Sequence, residues 1–366
     1  MNGAPAPPIR PIDCDVHNAV PSIEVLYPYL EDHWRDYLVE RGVTSLEPNY
    51  YPRGLPISCL PGARPSSGGP PGSDLDLLRE QVLGGVRYAI LNCLYSIQSI
   101  HNEDWAAAMA TALNQWQVEH WLDLDDRLRA SIVVPVRSPG RAAEEIERWG
   151  DHPGFVQVLL LARSSTPYGK RHHWPIYAAA VRHRLPVGIH AGGVTENPIL
   201  PVGWPSHYVE DYAGAAQVFQ TQLVSLVCEG VFGKFPELRV VLTESGVTWL
   251  PALLWRLDKN WKGLRSEVPW VDRPPSEIVR EHVRLTVQPF DGPRTAEGVR
   301  RVMDHLGSDE LLLFSSDYPH WHARDPYESC LRHLSAESQR RVLRENSLAT
   351  YRLGPETGPD GDGEHG

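Results

Sequence analysis

Positive charge is scarce in this 366-residue chain. Lysine and arginine total 35 against 46 aspartates and glutamates, a formal net charge of −11. Binding a phosphate backbone needs a basic field, so nucleic acid is excluded as the main partner. Only four lysines occur, Lys170, Lys234, Lys259 and Lys262, a preference for arginine that we assign to coding bias. Cysteine is also sparse. Cys14, Cys59, Cys93, Cys228 and Cys330 are scattered, odd in number, and form no CxxC pair. No disulfide framework is expected, and a reducing, cytoplasmic location is. No apolar run approaches the roughly 20 residues that span a bilayer. Met1–Pro11 has neither a basic n-region nor an apolar h-region, so neither a membrane span nor a signal peptide is expected. No GxGxxG turn follows the first strand-like stretch, which weakens a dinucleotide-binding reading.

Apolar residues make up 42% of the chain and charged residues 22%, enough for a sizeable core. Their arrangement is rhythmic. Strand-like apolar runs begin near Ile12, Val86, Leu128, Phe155, Pro186, Leu238, Val283 and Leu311. Helix-like periodicity separates most of them, over 22–41, 75–83, 102–122, 138–149, 174–184, 212–235, 248–261, 295–306 and 335–353. Eight units of continuous apolar strand followed by helix imply parallel strands covered on both faces. The architecture expected is α/β, a (β/α)8 TIM barrel with an inserted loop region after the first strand. An open, doubly wound sheet fits the same rhythm, and the placement of polar residues must separate the two. Residues 42–73 are rich in proline and glycine and read as a surface excursion within one domain, 1–353. Residues 354–366 carry no apolar content and read as a disordered tail.

The polar residues that interrupt the pattern fall at strand ends. In Ile12-Asp13-Cys14-Asp15-Val16-His17 three polar groups alternate. In a regular strand such positions share one face, about 6.6 Å apart. The fifth strand ends in His190, the sixth in Thr243-Glu244-Ser245-Gly246, and the eighth in Ser315-Ser316-Asp317-Tyr318-Pro319-His320. Each has an ordinary explanation by itself. Asp15 and His17 fit a hydrogen-bonded pair, His190 a satisfied core histidine, Glu244 a helix-dipole acid and Asp317 a turn residue. Together they occupy the one barrel rim where chemistry gathers. Two histidines with carboxylates suit a divalent ion with a position left open.

With these residues in view, the order DxDxH, fifth-strand His and eighth-strand Asp resembles the amidohydrolase superfamily. The resembling branch contains aminocarboxymuconate-semialdehyde decarboxylase, resorcylate-type decarboxylases and related hydrolases. The likeness runs from Ile12 to about Tyr351. Asp13 matches the leading Asp of the first motif, Asp15 takes its first His position, and His17 its second. Thr243–Pro251 and Tyr177–Ala180 look familial too. The resemblance implies one divalent metal held by Asp15, His17, His190 and Asp317, with Zn²⁺ expected and Mn²⁺ or Fe²⁺ as other options. No lysine lies near the end of the fourth strand, which argues against a binuclear site. One departure stands out: Glu244 occupies the position where decarboxylases of this branch usually carry a histidine.

The first expectation is therefore hydrolysis of a small carboxylate-, amide- or ester-like substrate. A metal-bound water, its pKa lowered from about 16 towards 7, would lose its proton to Asp317. Glu244 or His320 would protonate the leaving group. The alternative is non-oxidative decarboxylation of an aromatic or dienoic acid, with Asp317 or His320 protonating carbon. A third reading is a catalytically inactive barrel that serves as a binding protein. Candidate substrate contacts are Asn92, Tyr95, Arg163, His207 and Trp321, with an arginine suited to a carboxylate. The twelve tryptophans read as barrel packing and as the interface of a homodimer.

Overall fold

The computed structural model describes residues 9–46, 59–193, 198, 202–322 and 325–354. Short apolar runs cannot face water and are too short for stable helices, so they pair as strands. Eight do so: β1 Ile12–Val16, β2 Tyr88–Leu91, β3 Leu128–Val133, β4 Phe155–Arg163, β5 Val187–Gly193, β6 Val240–Thr243, β7 Val283–Thr286 and β8 Leu312–Leu313. They pair in chain order, every neighbour parallel. Backbone bonds bring the two edges together. Cys14 N donates to Phe314 O at 2.9 Å, Asp317 N to Asp15 O at 3.0 Å, and His17 N to Tyr318 O at 2.7 Å. The sheet is thus a nearly closed (β/α)8 barrel, and the open-sheet alternative is discarded.

Helices cover the outside. Leu91, Ile132, Val158 and Ile189 of the strands share one apolar cluster with Leu113 and Ile146 of helices Glu103–His120 and Pro139–Trp149. Each fully buried aliphatic side chain of this kind contributes roughly 1.5–3 kcal/mol relative to exposure. Asn102 caps the first of these helices, its Oδ1 accepting from Asp104 N and Trp105 N at 3.1 Å. Of the tryptophans, Trp116 and Trp121 are buried, whereas Trp255 is 56% exposed.

Several helices differ from expectation. The helix predicted over 22–41 is a 3-10 segment, Ile23–Tyr29, followed by Asp32–Arg41. Pro28 has no N–H to donate, and Leu30 is extended. The long helix after β5 starts earlier, at Tyr208, and ends at Cys228. Gly230, at φ +78, separates it from Val231–Lys234. Helix Pro275–His282 was concealed by its proline pair, although proline is well placed in a first turn.

Residues 47–58 of the excursion lie outside the described residues, as do 355–366 of the expected tail. The described end of the excursion turns back onto the barrel mouth. Leu60 N donates to Pro319 O at 2.7 Å, and Ala19 N to Gly72 O at 3.0 Å. Gly72 has φ +82, and a Cβ there would sit 2.6 Å from His17 O, so only glycine lets the segment lie so close. Among the described residues no helix is long and apolar enough to cross a membrane.

Candidate metal centre and active site

The first strand does not run as a regular alternation. Asp13 pairs with Ala89 and Val16 with Leu91, three steps on β1 against two on β2. The extra residue is a bulge, which redirects side chains at barrel rims. It separates Asp13 from the other two polar groups, which corrects the single shared face expected from spacing. Asp13 accepts from Ser316 N at 2.9 Å and Asp15 N at 3.3 Å, tying β1 to the segment after β8. Burial pushes its carboxyl up to about 7, against the bonds from Ser316.

Asp15, His17 and His190 converge, their candidate donor atoms all within 4.8 Å of one another, and so do His17, Asp317 and His320. Asp15, His190 and Asp317 are fully buried. His17 Nδ1 faces Asn92 O at 2.9 Å and His190 Nδ1 faces Ala191 O at 2.7 Å. A carbonyl can only accept, so both Nδ1 atoms carry the proton and a neutral ring then offers a bare Nε2. Yet His190 Nε2 lies 3.1 Å from Asp15 Oδ1, and His17 Nε2 lies 2.9 Å from Asp317 Oδ1. Lone pairs therefore confront one another unless a proton or a metal cation lies between them. Buried Asp15 Oδ2 has no hydrogen-bond partner among the described residues, a cost that ligation would remove. Burial opposes a charge on His17, but Asp15 and Asp317 outweigh it and push the imidazole up to about 10. By these criteria the residues fit a divalent ion.

Asp317 gathers three imidazoles. Its Oδ1 meets His17 Nε2 and His320 Nδ1, each at 2.9 Å, and its Oδ2 meets His322 Nε2 at 2.5 Å. Burial would raise this carboxyl, but His320, His17 and His322 prevail and hold it well below the usual range. His322 moves the other way: burial lowers it, and Asp317 and Glu244 more than offset that. Asp317 and Glu244 both have left-handed backbone, φ +60 and +56, uncommon for residues with a Cβ and held here by the surrounding structure.

Glu244 stands 4.0 Å from His190 Nδ1. Burial, then Asp317 and Asp15, raise its carboxyl well above the ordinary 4.5. Stability contributed by a raised carboxyl is fully present below its unfolded value and is lost as pH rises through its folded value. Glu244→Gln is therefore expected to raise the Tm of the metal-free protein at pH 8. The gain should shrink towards pH 5, where Glu244 is itself protonated. Differential scanning fluorimetry at the two pH values checks this, and an unchanged Tm at pH 8 would show that the charge costs nothing.

The substrate candidates separate. Asn92 is buried and committed to protein groups, donating to Asp15 Oδ1 at 2.9 Å. Tyr95 is buried. Arg163, at the end of β4, holds Asp211 through Nη2 at 2.9 and 3.1 Å. His207 does not join the site: its side chain is 77% exposed, and it caps its own helix with Glu210. Trp321 is 40% exposed beside His320 and His322. A cavity of about 280 Å³ opens next to His322, lined also by Gln288, Phe290, Arg294 and Ser329. Tyr208 escaped sequence reasoning. Burial, then Glu244, Asp211 and Asp317, push its phenol up to about 12. It follows a loop whose path spacing does not reveal, so no local signal marks it.

Residues 12–353 match the family described as amidohydrolase. The chain belongs to that family. Among similar proteins, this family member is 26% identical over 277 residues to gamma-resorcylate decarboxylase of Rhodococcus jostii strain RHA1, covering 70% of this chain and 80% of the relative. Its fold resembles 5-carboxyvanillate decarboxylase of Sphingomonas paucimobilis, with a TM-score of 0.70, 18% identity and coverage of 95% and 100% of the two chains. It also resembles dihydroxybenzoic acid decarboxylase of Polaromonas sp. JS666, solved with manganese and the inhibitor 2-nitroresorcinol, with a TM-score of 0.64, 20% identity and coverage of 94% and 97%. These named relatives are decarboxylases. They match the alternative drawn from the sequence better than the hydrolysis placed first, and they give zinc no specific support.

Proposed function

We propose that this amidohydrolase-family enzyme is a metal-dependent, non-oxidative decarboxylase of a small aromatic carboxylic acid with an oxygen substituent beside the carboxylate. The observation that carries the reading is the proton-rich setting of Asp317, whose carboxylate is held by three imidazoles in a buried site. Asp15, His17, His190 and Asp317 would hold the divalent ion, for which Mn²⁺ is the first choice. When bound, the ion would supply Lewis-acid charge suited to an anionic substrate. A proton reaches the ring carbon from His322 Nε2, whose protonated form the Asp317 carboxylate favours and orients through Oδ2. The new C–H bond forms, the C–C bond to the carboxylate breaks, and carbon dioxide leaves as aromaticity returns. Arg163 and the cavity beside His322 orient the ring, and burial, which raises the Glu244 carboxyl, lessens its repulsion of the substrate carboxylate. Hydrolysis stands second, favoured by Glu244 at the position where a histidine is usual in the resembling decarboxylases.

The test is carbon dioxide release from hydroxybenzoates and dienoic acids, run with Mn²⁺ and with Zn²⁺, alongside ester and amide hydrolysis. Metal-dependent carbon dioxide release from a hydroxybenzoate is expected. Hydrolytic turnover with no carbon dioxide from any acid would reverse the order of the two readings.

A further inference from the structure

Beneath the metal ligands, the barrel holds a chain of amide and hydroxyl groups that no step above uses. Asn92, Ser131 and Gln157 are fully buried. Ser131 Oγ donates to Asn92 Oδ1 at 2.7 Å. Gln157 Nε2 donates to the same oxygen at 3.3 Å and to Ser131 Oγ at 3.0 Å. Gln157 Oε1 accepts in turn from Tyr351 OH at 3.3 Å, on the closing helix Asn346–Tyr351. Room for the Gln157 amide exists because residue 188 is glycine, where a Cβ would fall 2.5 Å from Gln157 Cδ.

This arrangement has one consistent polarity. Two donors on Oδ1 decide which way the Asn92 amide is turned, and Nδ2 is thereby aimed at Asp15 Oδ1, 2.9 Å away, and at Cys14 O, 3.3 Å away. The reversed amide would set oxygen against the Asp15 carboxylate and an NH₂ group against donors. In a dry interior, wrongly paired polar groups of this kind cost more than they would at a surface. A satisfied polar core would need only that each group find some partner. Here the chain ends on an atom of a candidate metal ligand and pins one of its two oxygens.

We propose that Tyr351, Gln157, Ser131 and Asn92 form a positioning relay that locks the Asp15 carboxylate for the divalent ion, so that metal affinity is set from inside the barrel. The inference rests on the metal centre of the proposed function, but not on the reaction. Its residues touch neither substrate nor reacting atoms. They act through Asp15, and their effect is on binding of the ion.

The experiment measures the Mn²⁺ dissociation constant of the full chain by competition with a fluorescent chelator, together with the Tm of the metal-free protein. Ser131→Ala and Gln157→Leu are expected to weaken Mn²⁺ binding about tenfold to a hundredfold. Ser131→Thr, which keeps the hydroxyl, should restore near wild-type affinity. A lower metal-free Tm with Mn²⁺ affinity within about twofold of wild type would show a merely structural role and overturn the relay. If Gln157→Leu does not fold, the Ser131 pair decides the matter. Absence of carbon dioxide release would count against the decarboxylase reading and leave the affinities standing. If the wild-type chain bound no Mn²⁺, the metal centre and the relay would fall together.

Discussion

Asp317→Asn is expected to lower kcat for carbon dioxide release by about 10²–10⁴-fold, the range that general acid–base groups supply, and to leave the fold intact. The asparagine matches the carboxylate in shape and can still bond to some of its neighbours. It cannot carry the charge to which His17, His320 and His322 are turned. Two consequences follow. The side chain no longer orients the proton donor towards carbon, and His322, which Asp317 raises, loses its main support for protonation. Because Asp317 is also a candidate ligand, metal content must be measured in the same samples. Lost turnover at full metal occupancy and an unchanged circular dichroism spectrum identify the proton role. Normal turnover would refute it.

Removal of the divalent ion by chelation is expected to bring carbon dioxide release down to background, and Mn²⁺ is expected to restore it. The reason lies in the protein. Two imidazole nitrogens and two carboxylates are arranged with acceptor facing acceptor at 2.9–3.1 Å, and this becomes favourable only with positive charge between them. The metal-free site meets that demand with protons, and His17 at about 10 is the clearest holder. Metal binding should therefore release protons, measurable by titration calorimetry in buffers of different ionisation enthalpy. The ion should also raise the Tm, since a ligand present at about 100 times its Kd adds about 2.7 kcal/mol. Undiminished turnover in protein stripped below about a tenth of an equivalent would sink the assignment. Protein that never takes up metal would favour the inactive-barrel reading.

Much of the site was legible because its residues break a strong local pattern. His190 ends an apolar strand, Glu244 and Asp317 follow two others, and a barrel collects such positions on one rim. The converse is instructive. Asn92 also ends a strand and looked equally suited to a substrate, but its amide is taken up by Ser131, Gln157 and Asp15. His207 carried the right chemistry in a loop, and the tertiary structure turned it outward to cap its own helix. Tyr208 carried no signal.

The first strand shows where the division lies. Composition and period by themselves determined eight apolar strands between helices, a parallel sheet, and acids and histidines at its strand ends, while closure into a barrel was decided by the bonds from β1 to the segment after β8. Burial drives that outcome, and burial is written in the order of apolar residues. Only the tertiary structure decided which polar groups meet. A one-residue bulge between Asp13 and Val16 sends Asp13 to Ser316 and leaves Asp15 facing His190. Bulges and hydrogen-bond partners hundreds of residues away depend on pairing geometry, and residue spacing along the chain does not encode that geometry.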